Sequence, residues 1–220
     1  MRHCATDAQV SVQIKICGVC RSADVDACVQ AGVDAIGFNC WPGSPRYVRA
    51  HDAAWLVSNV PASILPVGVF VKASPEEVAE TVRITRFRAI QLHGDEDPTS
   101  YAHLPVEIIQ VIRIKDSDGL PHGPPPACVA RVLLDSHVAQ FGGVGRTFDW
   151  GLVSLAKDRL GCDVLIGGGL TPDNVGAAIR ATQPWGVDVA SGVESSPRVK
   201  DSQKIRDFVA AVRSAEAELK

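Results

Sequence analysis

Hydrophobic residues along this chain come in short runs that alternate with amphipathic stretches. "VQIKI" (12–16) reads as a strand, and "SADVDACVQAG" (22–32) has the apolar spacing of a helix stopped by glycine. The pair then recurs. Strand patterns at 35–39, 64–71, 89–93, 107–114, 131–135, 163–168 and 186–191 bring the count to eight. Helical patterns fall at 51–60, 74–84, 149–157, 171–181 and 201–218, with a weak one near 98–103. The helix at 74–84 opens with Ser74 in an N-cap position and Pro75 at its first turn. One step lacks its helix: "KDSDGLPHGPPPACVA" (115–130) holds four prolines and little amphipathic period, and reads as a loop.

Eight strand–helix steps in 220 residues predict an α/β chain forming one domain over 1–220, a (β/α)8 TIM barrel with a degenerate fifth helix. An open doubly wound sheet is the rival. Its usual cue, a Gly-rich G-x-G-x-x-G turn after the first strand, is missing, because that turn reads "CGVC". In a barrel the strand interiors are packed and chemistry gathers at the strand C-terminal ends. Those ends break the apolar pattern at Cys17, Asn39, Gln91 with His93, Arg113, Asp135 and Asp188. Any one of them alone is more often a satisfied structural polar group. Together they predict one shared rim.

Composition narrows the partners. A formal net charge of −3, with no basic stripe, argues against nucleic acid. Residues 1–16 contain no apolar leader core, and the longest apolar run, "ILPVGVFV", is too short to cross a bilayer. The expectation is a cytoplasmic protein with no membrane partner. Seven cysteines, odd in number and scattered, read as reduced thiols.

Four stretches carry candidate chemistry. "QIKICGVC" (13–20) places Cys17 at a strand end and Cys20 three residues on. This pair fits a thioredoxin-like dithiol, half of a zinc site, or a single catalytic thiol at Cys17. The zinc reading lacks a second ligand pair at suitable spacing. The late Gly-rich loops, "FGGVGRTFDW" (141–150), "GGGL" (167–170) and "SGVE" (191–194), offer Gly143, Gly145, Gly168, Gly169, Ser191 and Gly192. Glycine lets backbone N–H groups approach an anion, so these loops point to a phosphorylated substrate; ordinary tight turns are the alternative. The first loop is not a Walker A motif, since Arg146 stands where lysine should be. "SPRYV" (44–48) presents Arg46, which suits a carboxylate or a plain surface position. Asp135 closes the apolar run "VLLD", a partly desolvated place that suits a general acid.

Taken in order, "KICG", "SPRYV", "QLHGDE", "LLDS", "GGVGRTFDW", "GGGLTPDNV" and "GVDVASGVESSPRVKDSQKI" closely resemble the phosphoribosylanthranilate isomerase family of tryptophan biosynthesis. The likeness runs from about residue 12 to 213. It implies a (β/α)8 barrel and an Amadori rearrangement of N-(5-phosphoribosyl)anthranilate to 1-(2-carboxyphenylamino)-1-deoxyribulose 5-phosphate. It further implies Cys17 as the base, Asp135 as the acid and Arg46 against the anthranilate carboxylate. Asp188 would contact a ribose hydroxyl, His93 would bind substrate on the same rim, and the late glycine loops would hold phosphate. No metal or organic cofactor is implied. The expected partner is the phosphorylated small molecule alone, with the chain a monomer and a homodimer as the alternative.

Two departures stand out. Asn39 and Cys40 occupy "GFNCWPGSPR" where further hydrophobic residues are expected, and Cys20 is a thiol outside the motif. Three rival functions make different demands. A sugar-phosphate epimerase barrel needs a metal or a carboxylate pair. A dithiol oxidoreductase needs both cysteines. A binding barrel needs only the phosphate loops.

Overall fold

The computed structural model describes residues 11–114, 123–136 and 150–219. Within them eight parallel strands hydrogen-bond in chain order and close on themselves, the first pairing with the eighth. The strands are β1 (Gln13–Cys17), β2 (Ala35–Asn39), β3 (Leu65–Phe70), β4 (Ala89–Leu92), β5 (Glu107–Ile114), β6 (Val129–Ser136), β7 (Val164–Gly167) and β8 (Gly186–Val189). The helices are α1 (Ser22–Ala31), α2 (Ala50–Val57), α3 (Pro75–Thr85), α4 (Trp150–Leu160), α5 (Val175–Thr182) and α6 (Ser202–Glu218). The barrel expected from the strand–helix alternation is therefore the observed architecture.

The pleat divides the apolar residues into two cores, because successive strand side chains point to opposite faces. Ile14, Ile16, Ile36, Phe38, Ile90, Leu134 and Ile166 face outward and pack with Val25, Leu56, Val78, Ile179 and Phe208 from the helices. A smaller cluster of Val67, Ala89, Ile109, Val111, Leu133 and Leu165 fills the barrel interior. Helix α6 contacts both α1 and α5 and so completes the outer ring where the chain closes.

Local signals set several boundaries. Ser74 and Glu77 form a reciprocal capping box at the start of α3, with Pro75 in its first turn. Asp201 caps α6 by accepting from the N–H groups of Gln203 and Lys204 at 2.8 and 3.1 Å. The weak helical pattern near 98–103 is only a 3₁₀ turn, Pro98–Tyr101, held by the Asp97 side chain on the Thr99 N–H. Six residues, 98–103, are too few to nucleate an α-helix once proline has removed a donor. The helix expected at 171–181 begins later, at Val175. Asn174 instead closes a turn, accepting from the Thr171 N–H and donating to the Gly169 carbonyl. Of the proline-rich loop, residues 123–128 are irregular and the remainder up to 122 lies outside the described residues.

A small hairpin, β9 (Glu194–Ser196) with β10 (Val199–Lys200), follows the eighth strand and was not foreseen from the pattern. Gly192 precedes it. A Cβ at Gly192 would lie 1.9 Å from the Leu170 carbonyl oxygen, so only glycine lets the loop after β8 pack on the loop after β7.

Leu133 is buried in the barrel interior and also forms the floor of the cavity described next. Leu133→Ala should destabilise the fold by about 2–5 kcal/mol, through lost transfer energy and an unfilled void. Equilibrium urea unfolding checks this; a change below about 1 kcal/mol would mean that the interior layer is not tightly packed.

Candidate active site

The strand ends open into a cavity of about 400 Å³. Cys17 of β1, Gln91 and His93 at the end of β4, Arg113 of β5, Asp135 of β6 and Asp188 of β8 all line it. Each sits at an inward-facing position of its strand, and pleat parity in a closed barrel aims them at one point. Gly168 and Gly169 after β7 and Ser191 after β8 form one wall, and Trp41, Ser44 and Arg46 of the loop after β2 form another.

Beneath the rim the charges are paired. Lys15, only 1 % exposed, reaches Asp188 Oδ1 at 2.8 Å. The two residues are register partners across β1 and β8. Arg46 donates from Nε and Nη2 to the two oxygens of Glu194, at 2.7 and 2.6 Å. Lys200 donates to the same carboxylate at 3.0 Å and to the Ala190 carbonyl at 2.9 Å. Burial alone would raise the Glu194 pKa. The Arg46 hydrogen bonds and the Lys200 charge outweigh it and hold the group below its ordinary value. For Cys17 the balance runs the other way: burial pushes the thiol up, Lys15 and Lys200 pull it partly back, and Asp188 adds to the rise.

His93 bridges the polar wall. Its Nε2 lies 3.3 Å from Asp135 Oδ2, and its Nδ1 lies 3.1 Å from Gln91 Nε2. The Gln91 Oε1 atom, buried, has no hydrogen-bond partner among the described residues. Arg113 donates to the His93 carbonyl at 2.7 Å. No group of three or more His, Cys, Asp or Glu residues among those described could hold a metal ion.

Glycines shape the entrance. Gly18 has φ +73°, and a Cβ on it would lie 2.3 Å from Arg46 Cδ, so the Arg46 stem crosses directly over it. Gly168 and Gly169 have φ of 83° and 73°, left-handed backbone that glycine adopts at little cost.

Comparison with known proteins agrees with this layout. The family model described as N-(5'phosphoribosyl)anthranilate (PRA) isomerase matches residues 14–211. The N-(5'-phosphoribosyl)anthranilate isomerase of Myxococcus xanthus is 44% identical over 208 residues, covering 93% of this chain and 98% of its own. The crystal structure of phosphoribosyl anthranilate isomerase from Thermotoga maritima superposes with a TM-score of 0.83 at 33% identity, covering 92% and 99% of the two chains. Another solved isomerase, in complex with reduced 1-(o-carboxyphenylamino)-1-deoxyribulose 5-phosphate, gives 0.81 at 31% identity, again covering 92% and 99%.

The chain belongs to the phosphoribosylanthranilate isomerase family. Its reaction is the isomerisation of N-(5'-phosphoribosyl)anthranilate, a step of tryptophan biosynthesis. No described helix is long and apolar enough to cross a membrane.

Among the site residues of this isomerase expected from the sequence, the structure brings Cys17, Arg46, His93, Asp135, Gly168, Gly169, Asp188 and Ser191 to one cavity. Gly192 is not among its lining residues; its glycine is explained by packing on Leu170. Gly143 and Gly145 lie outside the described residues. Lys15, Glu194 and Lys200 were missed. Lys15 shares the parity of Cys17 within the strand, and that parity was its available signal. Glu194 and Lys200 fall within "GVDVASGVESSPRVKDSQKI", but no local pattern marks their partners, which are set by the hairpin.

Asn39 and Cys40 also find their places. The Asn39 side chain accepts from the Trp41 N–H at 3.0 Å and its carbonyl from the Val48 N–H at 2.8 Å, fixing both ends of the loop that carries Arg46. Burial pushes the Cys40 thiol up to about 12, as befits a packing residue rather than a reactive one.

Glu194 pairs with two cations while only 8 % exposed. Glu194→Gln should cost about 3–5 kcal/mol at neutral pH, because Arg46 and Lys200 are left uncompensated. The group has a lower pKa folded than unfolded. Its contribution is therefore complete above the unfolded value of about 4.3 and is lost as pH falls through the depressed folded value. Urea unfolding across pH should show the wild-type and Gln variant converging in acid; parallel curves would refute the pairing energy.

Proposed function

We propose that this cavity performs the Amadori rearrangement with Cys17 as base and Asp135 as acid, and that Arg46 and the glycine turns hold the two ends of the substrate. The single observation that carries the reading is that Cys17 and Asp135, on strands three apart around the barrel, line one cavity with Arg46 and Gly168–Gly169 at its rim.

Each step follows from the groups present. Asp135 gives its proton to the ribose ring oxygen. The C1–O bond breaks, and the anthranilate nitrogen lone pair forms a protonated Schiff base at C1. The Cys17 thiolate then takes the C2 proton. The C2–H electron pair becomes the C1=C2 bond of an enolamine, and the iminium pair returns to nitrogen. Tautomerisation turns the C2 hydroxyl into the ketone and places a proton on C1. His93, 3.3 Å from Asp135, holds the acid in place. The unpartnered Gln91 Oε1 and the second oxygen of Asp188 are acceptors suited to the sugar hydroxyls.

Arg46 keeps a usable fork. Glu194 engages Nε and Nη2, and Nη1 has no partner among the described residues, so the Nη1–Nη2 end is open to a substrate carboxylate with its donors already oriented. At the other end, the lack of side chains at Gly168 and Gly169 exposes backbone to a phosphate group.

A fluorescence assay following loss of the anthranilate-derived substrate tests the acid–base pair. Asp135→Asn should lower kcat by about 10²-fold or more with the fold intact, and Cys17→Ala should nearly abolish turnover. Cys20→Ser should retain most activity; equal losses at Cys17 and Cys20 would favour a dithiol and discard this mechanism. Separately, Arg46→Ala should act mainly on KM, by about 1.5–3 kcal/mol, with lysine rescuing only in part. A wild-type KM would remove Arg46 from carboxylate recognition.

A further inference from the structure

Lys15 is the one charged residue of β1, and it lies wholly inside the barrel. Its ammonium has two neighbours. Asp188 Oδ1 accepts from it at 2.8 Å from the β8 side. On the β1 side lies Cys17, two residues on and so on the same inward face of the strand. Gly37 of β2 is the register partner of Cys17. A Cβ on Gly37 would lie 3.0 Å from Cys17 Sγ and 3.1 Å from Lys15 Nζ, so sulfur and ammonium both border the space that a side chain there would fill.

We infer that Lys15 is a positioning residue for the isomerisation: anchored by Asp188, its ammonium borders the same space as the Cys17 sulfur and supplies the charge that favours the thiolate. The inference rests on reading Cys17 as the base. An ammonium in a barrel interior loses its hydration, a loss that a structural role alone would not call for in a layer otherwise filled by Val67, Ala89, Ile109 and Leu165. It remains charged all the same. Burial works against the cation, but Asp188 and Cys17 outweigh it and keep its pKa above the ordinary lysine value.

The groups acting on Cys17 come from several elements. Burial raises the thiol, Lys15 opposes that rise most strongly, Asp188 of β8 adds to it, and Lys200 of β10 opposes it. Arg46, on the loop after β2, also interacts with the thiolate charge. His93 and Asp135 line the same cavity from β4 and β6. Removing Lys15 takes away the strongest opposing charge, so Cys17 must hold its proton to higher pH. The acid limb of kcat/KM, which requires the thiolate, must move the same way.

The test is iodoacetamide alkylation of the folded protein across pH, quantified on the Cys17-containing peptide by mass spectrometry. It is applied to the wild type, Lys15→Met and the double variant Lys15→Met/Asp188→Asn, which leaves no unpaired charge behind and guards against misfolding. The pH dependence of kcat/KM is measured on the wild type and Lys15→Met. The alkylation midpoint and the acid limb of Lys15→Met should both rise by about one pH unit or more. The double variant should alkylate with a midpoint above the wild type but below Lys15→Met, because the opposing Asp188 charge has gone too. Coincident midpoints in all three proteins, or a Lys15→Met enzyme whose KM alone changes while its acid limb stays in place, would overturn the inference. Alkylation does not depend on turnover. A Cys17→Ala enzyme that still turned over would therefore remove the base reading while leaving the Lys15 result interpretable.

Discussion

A closed barrel gives every strand one face toward the helices and one toward an interior too narrow for water to fill. That constraint governs the rest of this molecule. Alternate residues of each strand must suit a dry interior, and the last inward residue of each strand must emerge at a common mouth. Cys17, Asp135 and Asp188 are far apart in sequence and share a cavity because each ends an inward-facing row. No loop has to travel to assemble them. Rigid strand ends also hold their positions with little conformational freedom left to lose on binding substrate, which is what proton transfer over a single hydrogen-bond length requires.

The same dryness explains the pairing of charges. Lys15 with Asp188, and Arg46 with Glu194 and Lys200, are clusters in which every buried charge has an opposite within hydrogen-bond distance. Buried ion pairs rarely add net stability over apolar residues of equal size. Their persistence at the mouth of this barrel fits orientation rather than stabilisation. Glu194 fixes one edge of the Arg46 guanidinium and leaves the other open. The hairpin that carries Glu194 is tied to the start of α6, where Lys204 donates to the Glu194 carbonyl at 2.8 Å. The orientation of Arg46 on the β2 loop thus depends on a segment about 150 residues later, through a planar pair of 2.7 and 2.6 Å hydrogen bonds.

Much of this was legible in the sequence because it is periodic. The eight strands and most helices follow from runs of two- and three-to-four-residue spacing, and the polar strand ends marked the rim. Three things were not legible, each for a physical reason. The β9–β10 strands are three and two residues long, too short for any period to register. Lys15 was passed over because lysine is almost always a surface residue; only the parity it shares with Cys17 betrays it. Gly192 looked like an anion-binding glycine, yet what demands glycine there is the Leu170 carbonyl, a contact across two loops that no local pattern encodes. Local rules report the chain's own conformation, while sites are made by partners distant in sequence.

The Cys17-x-x-Cys20 spacing shows how far geometry separates residues that a motif joins. Cys17 ends β1 and faces the cavity. Gly18 follows with φ +73°, a left-handed turn that reverses the chain's direction out of the strand. Cys20 lies beyond it, just before α1, and its thiol turns to the Gly18 and Arg46 carbonyls at 3.5 and 3.4 Å. In that place it ties the loop after β1 to the loop that carries Arg46. Burial raises its pKa, as it does that of Cys17. A dithiol needs its two sulfurs turned toward each other within disulfide reach. Here the strand end gives the cavity to one thiol, and the glycine turn gives the other to the scaffold that holds the arginine.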